Sequence, residues 1–399
     1  MSEIITNNDY ESGKVIVALN QSFTSHTVPD YDISPIVRGL DYEKADIIYQ
    51  QSRSANGGDS GDILLIYLRD KSKAAVIDAI EKLSANPNVL YAEPDYVEDL
   101  FVVPNDPLYH QLWGTQKVQA PMAWNYSTGS THVAVGVIDT GIDHEHPDIR
   151  RNMWSTPNRR IVNGWNFAND NDFSMDTDGH GTHVAGTIGA VGDNHIGITG
   201  ICWHVKVVAM KFGLDIASAI ASINFANQFR IPILNASWGG RAYSRSLKYA
   251  IDHYDGLFVA AAGNDGTNND RDPVFPASYD SENIISVAAS RPDDSLAAFS
   301  NFGARSVHLA APGTNILSLG LYSDYSTLNG TSMAAPHVAG AAALLKAYMP
   351  GISTRSIKNI ILGSAVRRPA LANRVATGGM LNINAMFIMA NNLRRRGNL

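Results

Sequence analysis

Cysteine is nearly absent from this chain. Cys202 is the sole one among 399 residues, so no intrachain disulfide can form. Long apolar runs are missing too. No stretch reaches the roughly 20 apolar residues of a membrane-spanning helix, so no membrane span is expected. The N-terminal Met-Ser-Glu-Ile-Ile-Thr-Asn-Asn-Asp has neither a basic start nor an apolar run of signal-peptide length. Taken literally, this places the protein in the cytoplasm, with secretion after loss of a leader as the alternative. Positive charge is not in excess. A net charge of −7 argues against nucleic acid or an acidic membrane as the main partner. No internal repeat or low-complexity linker is visible, and the basic tail Arg394-Arg395-Arg396 is short enough to be a solvated end.

What is present points to a folded protein with a sizeable core. Hydrophobic residues make up 45% and charged residues 17%. The length allows one to three domains. Charge divides the chain unevenly. Residues 1–104 carry 8 Lys/Arg against 17 Asp/Glu, net −9, which leaves 23 against 21, net +2, for residues 105–399. Two units with that boundary are expected. In the first, residues 14–20, 62–68 and 89–96 are β-branched and apolar enough for strands. Ala74, Val76, Ile77, Ile80 and Leu83 recur at helical spacing. The second unit alternates apolar runs (132–139, 205–212, 231–237, 257–262 and 284–289) with helical patterns at 217–228 and 244–253. That alternation predicts an α/β fold with a mostly parallel sheet and helices on both faces.

Three short segments carry the chemistry: Val-Ile-Asp139-Thr-Gly, His180-Gly-Thr-His-Val-Ala-Gly and Gly330-Thr-Ser332-Met-Ala-Ala-Pro-His337. They supply an acid, a base and a hydroxyl. A serine is a weak nucleophile until a base takes its proton, and a carboxylate holds that base in the right tautomer. Asp139 ends a buried apolar run, where sites in open α/β sheets gather. His180 opens a segment of small residues that can lie close to the sheet. Ser332 starts an apolar helix, whose N-terminus favours developing negative charge. His180 and His183 also form a His-x-x-His pair, but a zinc peptidase of that kind needs His-Glu-x-x-His. A lipase or esterase is disfavoured as well. No Gly-x-Ser-x-Gly surrounds Ser332, and the chain order there would be Ser, Asp, His.

The order Asp, His, Ser with these motifs resembles the subtilisin-like serine proteases, or subtilases, over roughly residues 105–390. The resemblance implies catalytic Asp139, His180 and Ser332. It makes Asn264, in Ala-Ala-Ala-Gly-Asn264-Asp-Gly, the oxyanion-hole donor beside the Ser332 amide. It further implies substrate binding as an added strand along Ser237, Trp238 and Gly239 and along Ala261, Ala262 and Gly263. Trp238 stands where many members carry Leu, adding bulk near the S1/S4 boundary. Asp265, Asp270 and Asp272 lie in a polar loop near S1; solvation is the reading preferred over selection of a basic P1 residue.

The first unit, ending in Tyr91-Ala-Glu-Pro-Asp-Tyr96, looks like the family's small α+β, ferredoxin-like prodomain, which assists folding and plugs the cleft. A serine endopeptidase made as a zymogen and self-processed between residues 96 and 106 is therefore expected, with a catalytically silent binding module as the alternative. The resemblance also implies structural Ca2+ held by Asp106, Asp148 and Asn194 side chains and by carbonyls of Val191, Ile196 and Ile198. One extra residue in that loop leaves Asp193 competing with Asn194. No organic cofactor and no C-terminal extra domain are expected. The partners implied are protein or peptide substrates and the chain's own prodomain, the enzyme being a monomer.

Overall fold

The computed structural model describes residues 10–20, 33–49, 61–96 and 102–397. The chain divides into two compact units, Met1–Asp99 and Leu100–Leu399.

The first unit runs β1 (Tyr10–Leu19), α1 (Ser34–Val37), β2 (Tyr42–Tyr49), β3 (Ile63–Leu68), α2 (Lys73–Ser84) and β4 (Val89–Tyr96). Its strands form an antiparallel sheet in the order β2-β3-β1-β4, the ferredoxin-like arrangement. The period-two pattern decides which face is covered. Val15, Val17, Leu64 and Ile66 are buried and pack with Val76, Ala79, Ile80 and Leu83 of α2. Ser72 starts that helix by accepting from the Ala75 N–H at 3.1 Å. β2 went unread in the sequence because Tyr-Glu-Lys-Ala-Asp-Ile-Ile-Tyr shows no alternation, and its burial follows none.

The second unit opens with α3 (Trp113–Lys117), α4 (Ala120–Trp124), β5 (Gly129–Asp139), β6 (Gly164–Asn166) and α5 (His180–Gly189). It continues with β7 (His204–Lys211), α6 (Ile216–Gln228), β8 (Ile233–Ala236), α7 (Arg245–Asp252), β9 (Leu257–Ala261) and β10 (Ile284–Ser290). Next come β11 (Leu309–Pro312), β12 (Ile316–Leu319), β13 (Tyr325–Leu328) and α8 (Thr331–Tyr348). It closes with α9 (Thr354–Gly363), β14 (Val366–Arg367), β15 (Gly379–Met380) and α10 (Ile383–Arg395). Nine strands form one sheet in the order β14-β15-β11-β10-β9-β8-β5-β7-β6, parallel except for β14. Chain order reverses at β5, with β7 on one side and β8 on the other.

Alternate residues of the central strands feed two cores. Val133, Val135 and Val137 of β5, with Leu257 and Val259 of β9, face α5 and α8. Ile138, Phe258 and Ala260 face α6 and α7. Strands buried on both faces read as continuous apolar runs, which is why the sequence located them to within a few residues.

Candidate active site

Asp139 is the last residue of β5, at the reversal point and on the carboxyl edge, where open α/β sheets place their ligands. Its side chain is buried. Oδ1 accepts from the Thr140 N–H at 2.8 Å and from His180 Nδ1 at 2.7 Å. A carboxylate only accepts, so Nδ1 carries the proton and Nε2 is left as the basic nitrogen. Burial disfavours a charge on the imidazole. The bond from Asp139 and the charges of Asp139, Asp178 and Asp176 outweigh it, so His180 sits above the ordinary imidazole range.

The close approach of α5 to the turn after β5 depends on Gly181. A Cβ there would fall 2.1 Å from the Gly141 carbonyl oxygen and 3.1 Å from Asp139 Cβ. The Gly181 N–H donates to Thr140 Oγ1 at 2.9 Å, pinning the helix start to the same turn.

Ser332 lies in the first turn of α8, which stays buried from Thr331 to Leu345. Pro336 has no N–H to give to the Ser332 carbonyl one turn back. That carbonyl instead accepts from Ser237 Oγ at 2.8 Å, while Ser332 Oγ donates to the Ser237 carbonyl at 2.9 Å. The two serines are thus locked reciprocally, β8's end to α8's start. Among the described residues no hydrogen bond joins Ser332 to His180. The hydroxyl occupies a rotamer bonded to Ser237, and such contacts often tighten only when substrate is bound.

Asn264 follows β9. Its Oδ1 accepts from both the N–H and the Oγ1 of Thr331, each at 2.9 Å. That fixes the amide and leaves Nδ2 without a partner among the described residues. A Cβ on Gly330 (φ 156°) would lie 3.5 Å from Asn264 Nδ2 and 3.5 Å from the Ser332 nitrogen. The Asn264 amide nitrogen and the Ser332 backbone nitrogen thus lie on the same side of Gly330.

Comparison with known proteins places the chain in a family. The Subtilase family profile matches residues 130–384. Thermophilic serine proteinase from Bacillus sp. (strain AK1) is 37% identical over 284 residues, covering 68% of this chain and 67% of its own. Subtilisin DY from Bacillus licheniformis is 36% identical over 283 residues, covering 68% and 97%. Among solved structures, a protease from Pseudoalteromonas arctica matches at TM-score 0.62 and 28% identity, over 72% of this chain and 99% of that one. The chain belongs to the Subtilase family. It is a serine endopeptidase, and its substrates are proteins or peptides.

In this subtilase the backbone N–H and C=O of Gly239 have no partner among the described residues. Trp238 is fixed by its Nε1–H on the Ile138 carbonyl at 2.9 Å and by Phe212, ring centroids 4.9 Å apart. With Phe212, Leu214, Ile216, Leu247 and Phe275 it lines an apolar cavity. Opposite, Ala261 and Ala262 are buried, and the Ala262 carbonyl accepts from Asn269 Nδ2 at 2.8 Å. Gly263 donates its N–H to Thr331 Oγ1 at 3.1 Å. Asp265 pairs with Arg241 at 3.0 Å, and Asp270 accepts from Ser306 Oγ at 2.8 Å. Asp272 is exposed.

His183 does not join His180. Its Nε2 faces the carbonyls of Ile316 at 2.9 Å and Ser326 at 3.1 Å, and burial pushes its pKa down to about 4. It ties α5 to the β12–β13 hairpin as a neutral ring. Among the described residues no group of three or more His, Cys, Asp and Glu is placed to hold a metal.

Asp106 and Asp148 form a separate oxygen-rich cluster. Asp106 Oδ2 accepts from the Asp193 N–H at 2.7 Å, and Oδ1 is buried with no partner among the described residues. Asp148 accepts from Asn194 Nδ2 at 2.8 Å, the Ile198 N–H at 2.9 Å and Tyr325 Oη at 3.2 Å. Burial raises both carboxyls, Asp148 to about 6, and Asp106 adds to the rise at Asp148. Asn194 rather than Asp193 turns toward Asp148; Asp193 accepts from the Asn105 N–H at 3.3 Å and is exposed. The carbonyls of Val191, Ile196 and Ile198 accept no hydrogen bond among the described residues.

What several residues of the site do escaped the sequence reading. Thr331 holds the Asn264 amide, Pro336 frees the Ser332 carbonyl, and Asp176 grips the loop before His180. Pro336 was visible as a proline inside a helical run. The other two gave no signal of their own.

Proposed function

We propose that this endopeptidase works through Asp139, His180 and Ser332. A rotation about the Ser332 Cα–Cβ bond turns Oγ from the Ser237 carbonyl toward His180 Nε2. Nε2 takes the hydroxyl proton as Oγ attacks the scissile carbonyl carbon. The carbonyl oxygen becomes an oxyanion and is held by Asn264 Nδ2 and the Ser332 N–H. His180 passes the proton to the leaving amine as the C–N bond breaks. Water then attacks the acyl-enzyme, His180 again serving first as base and then as acid. The observation that carries this reading is the 2.7 Å bond from His180 Nδ1 to Asp139, because it fixes Nε2 as the acceptor.

The first unit acts in this proposal as an inhibitory, folding-assisting prodomain covering residues 1–104, ahead of a catalytic domain at 105–399. Self-cleavage falls between Tyr96 and Asp106, a stretch of which residues 97–101 lie outside those described. Ca2+ is the fitting occupant of the Asp106–Asp148 cluster. An unpartnered buried carboxylate oxygen, two buried acids with raised pKa and three free carbonyls form a hard-oxygen donor set. Asp106, Asp148 and Asn194 would supply side-chain oxygens, and Val191, Ile196 and Ile198 carbonyls. The bound cation would tie the 191–198 loop to the segment around Asp106 and neutralise the paired acids.

A serine-directed fluorophosphonate probe tests the catalytic reading. Wild type should be labelled at Ser332, Ser332→Ala should not, and His180→Ala should be labelled far more slowly. Wild type that folds but takes no label would favour the silent-module alternative.

A further inference from the structure

Asp176 sits four residues before His180, is 4% exposed and makes no side-chain hydrogen bond to Asp139 or His180 among the described residues. Its carboxylate accepts four hydrogen bonds. Oδ1 takes the N–H groups of Asp178 at 2.9 Å and Gly179 at 3.1 Å. Oδ2 takes the N–H of Thr182 at 3.0 Å and the Thr182 hydroxyl at 2.7 Å. One side chain therefore grips the chain on both sides of His180. An ordinary helix cap satisfies amides on one side only, from the residue that begins the helix. The position before this helix is Gly179, which has no side chain to do so.

The same carboxylate is tied to the turn that follows Asp139. Thr182 Oγ1 accepts from the Asp143 N–H at 2.9 Å. The Asp176 N–H donates to the Ile142 carbonyl at 3.2 Å, and the Ile142 N–H donates to Ser174 at 3.1 Å. The acid-bearing turn and the base-bearing loop thus share one reference point. Burial opposes the charge on Asp176, but its Thr182 and backbone bonds outweigh that and hold the carboxyl below the usual range.

We propose that Asp176 is a positioning residue for catalysis, a clamp that sets the His180 ring against Asp139 and Ser332. The proposal rests on the catalytic reading given above. A retained shape with altered acceptors separates clamp from scaffold. In Asp176→Asn one oxygen becomes an NH2 group, so at least one backbone N–H beside His180 loses its acceptor whichever way the amide turns. A ring displaced by a fraction of an ångström to 1 Å lowers turnover by about 10- to 100-fold. Substrate binding is assigned to residues 237–239 and 261–263, at the carboxyl ends of β8 and β9, and should not follow. The charged groups acting on the ring are Asp139 from β5 and Asp178 and Asp176 from the loop, with neutral His183 one turn further along α5. Removing the Asp176 charge disfavours imidazolium, so the acid limb of the pH profile should move to lower pH.

The experiment measures kcat, KM and the pH profile of kcat/KM on a peptide p-nitroanilide for Asp176→Asn, Thr182→Val and Thr182→Ser. Each is normalised to active sites by burst titration. The expected result is a kcat loss of about 10- to 100-fold with KM within about twofold for Asp176→Asn, and the acid limb displaced downward. Thr182→Val should share part of the loss, and Thr182→Ser, which keeps the hydroxyl, should recover it. Wild-type kcat per active site and an unmoved acid limb in Asp176→Asn would overturn the proposal, including where the melting temperature falls. His180→Ala and Ser332→Ala run alongside. If either retains turnover the catalytic reading itself fails; if both are dead and Asp176→Asn is normal, only the clamp fails.

Discussion

Substituting Gly181 by alanine tests whether the closeness of α5 to β5 matters to the chemistry. The added Cβ would lie 2.1 Å from the Gly141 carbonyl oxygen, 3.1 Å from Asp139 Cβ and 3.2 Å from Asp139 Oδ1. Ordinary van der Waals contacts of a Cβ begin near 3.4 Å, so the helix start or the Gly141 turn must retreat by about 1 Å, an overpacking strain of about 1–3 kcal/mol. The atoms in the way are backbone and cannot swing aside as a flexible side chain would. His180 is the neighbouring residue, and its 2.7 Å bond to Asp139 runs across the gap being opened. A misplacement of that size costs about 100-fold in rate. The assay is kcat/KM on a peptide p-nitroanilide, corrected for active fraction, with thermal unfolding followed in parallel. Gly351→Ala serves as control, since a Cβ there meets nothing within 4 Å. Activity within twofold of wild type and an unchanged melting temperature in Gly181→Ala would refute the reasoning.

Three further outcomes follow from the site. Asn264→Ala should lower kcat by about 10²–10³, the magnitude known for the oxyanion asparagine of subtilisin, with KM little changed; a loss confined to KM would contradict the role. His180 must be neutral to act as base, and its folded pKa lies above the ordinary value of about 6.5, so kcat/KM should fall as pH drops through a midpoint higher than that. A midpoint below that value would contradict the Asp139 pairing. Excess EGTA should lower the melting temperature by uncovering the buried Asp106 and Asp148 charges, and an unchanged melting temperature would count against the cation.

The fold was legible wherever burial left a pattern. The cores of β5, β7, β8, β9 and β10 appear as apolar runs because both faces of those strands are covered, and α6 and α7 show helical spacing with a polar cap. The short antiparallel hairpin β12–β13 and the edge strand β2 were missed. The side chains of β13 and β2 are partly exposed, so apolar content carries no message there, and β12, though mostly buried, is only four residues long. The site residues were named from local motifs, which specify residue type and order but not rotamer. The reciprocal Ser237–Ser332 pair, the grip of Asp176 and the Trp238–Ile138 bond all join residues through three-dimensional proximity or side-chain direction. Asn194 reaches Asp148 and Asp193 faces Asn105 through the path of the loop, which composition does not carry.

The central claim is that Ser332 attacks a peptide bond of this chain and of others. The most direct test is to express wild type and Ser332→Ala in parallel with calcium and weigh the products. The account predicts that the 43.1 kDa wild type separates into two pieces cut between Tyr96 and Asp106, while Ser332→Ala stays whole. A Ser332→Ala protein that is cut at the same bond, or a folded wild type that stays whole and leaves casein intact, would contradict it.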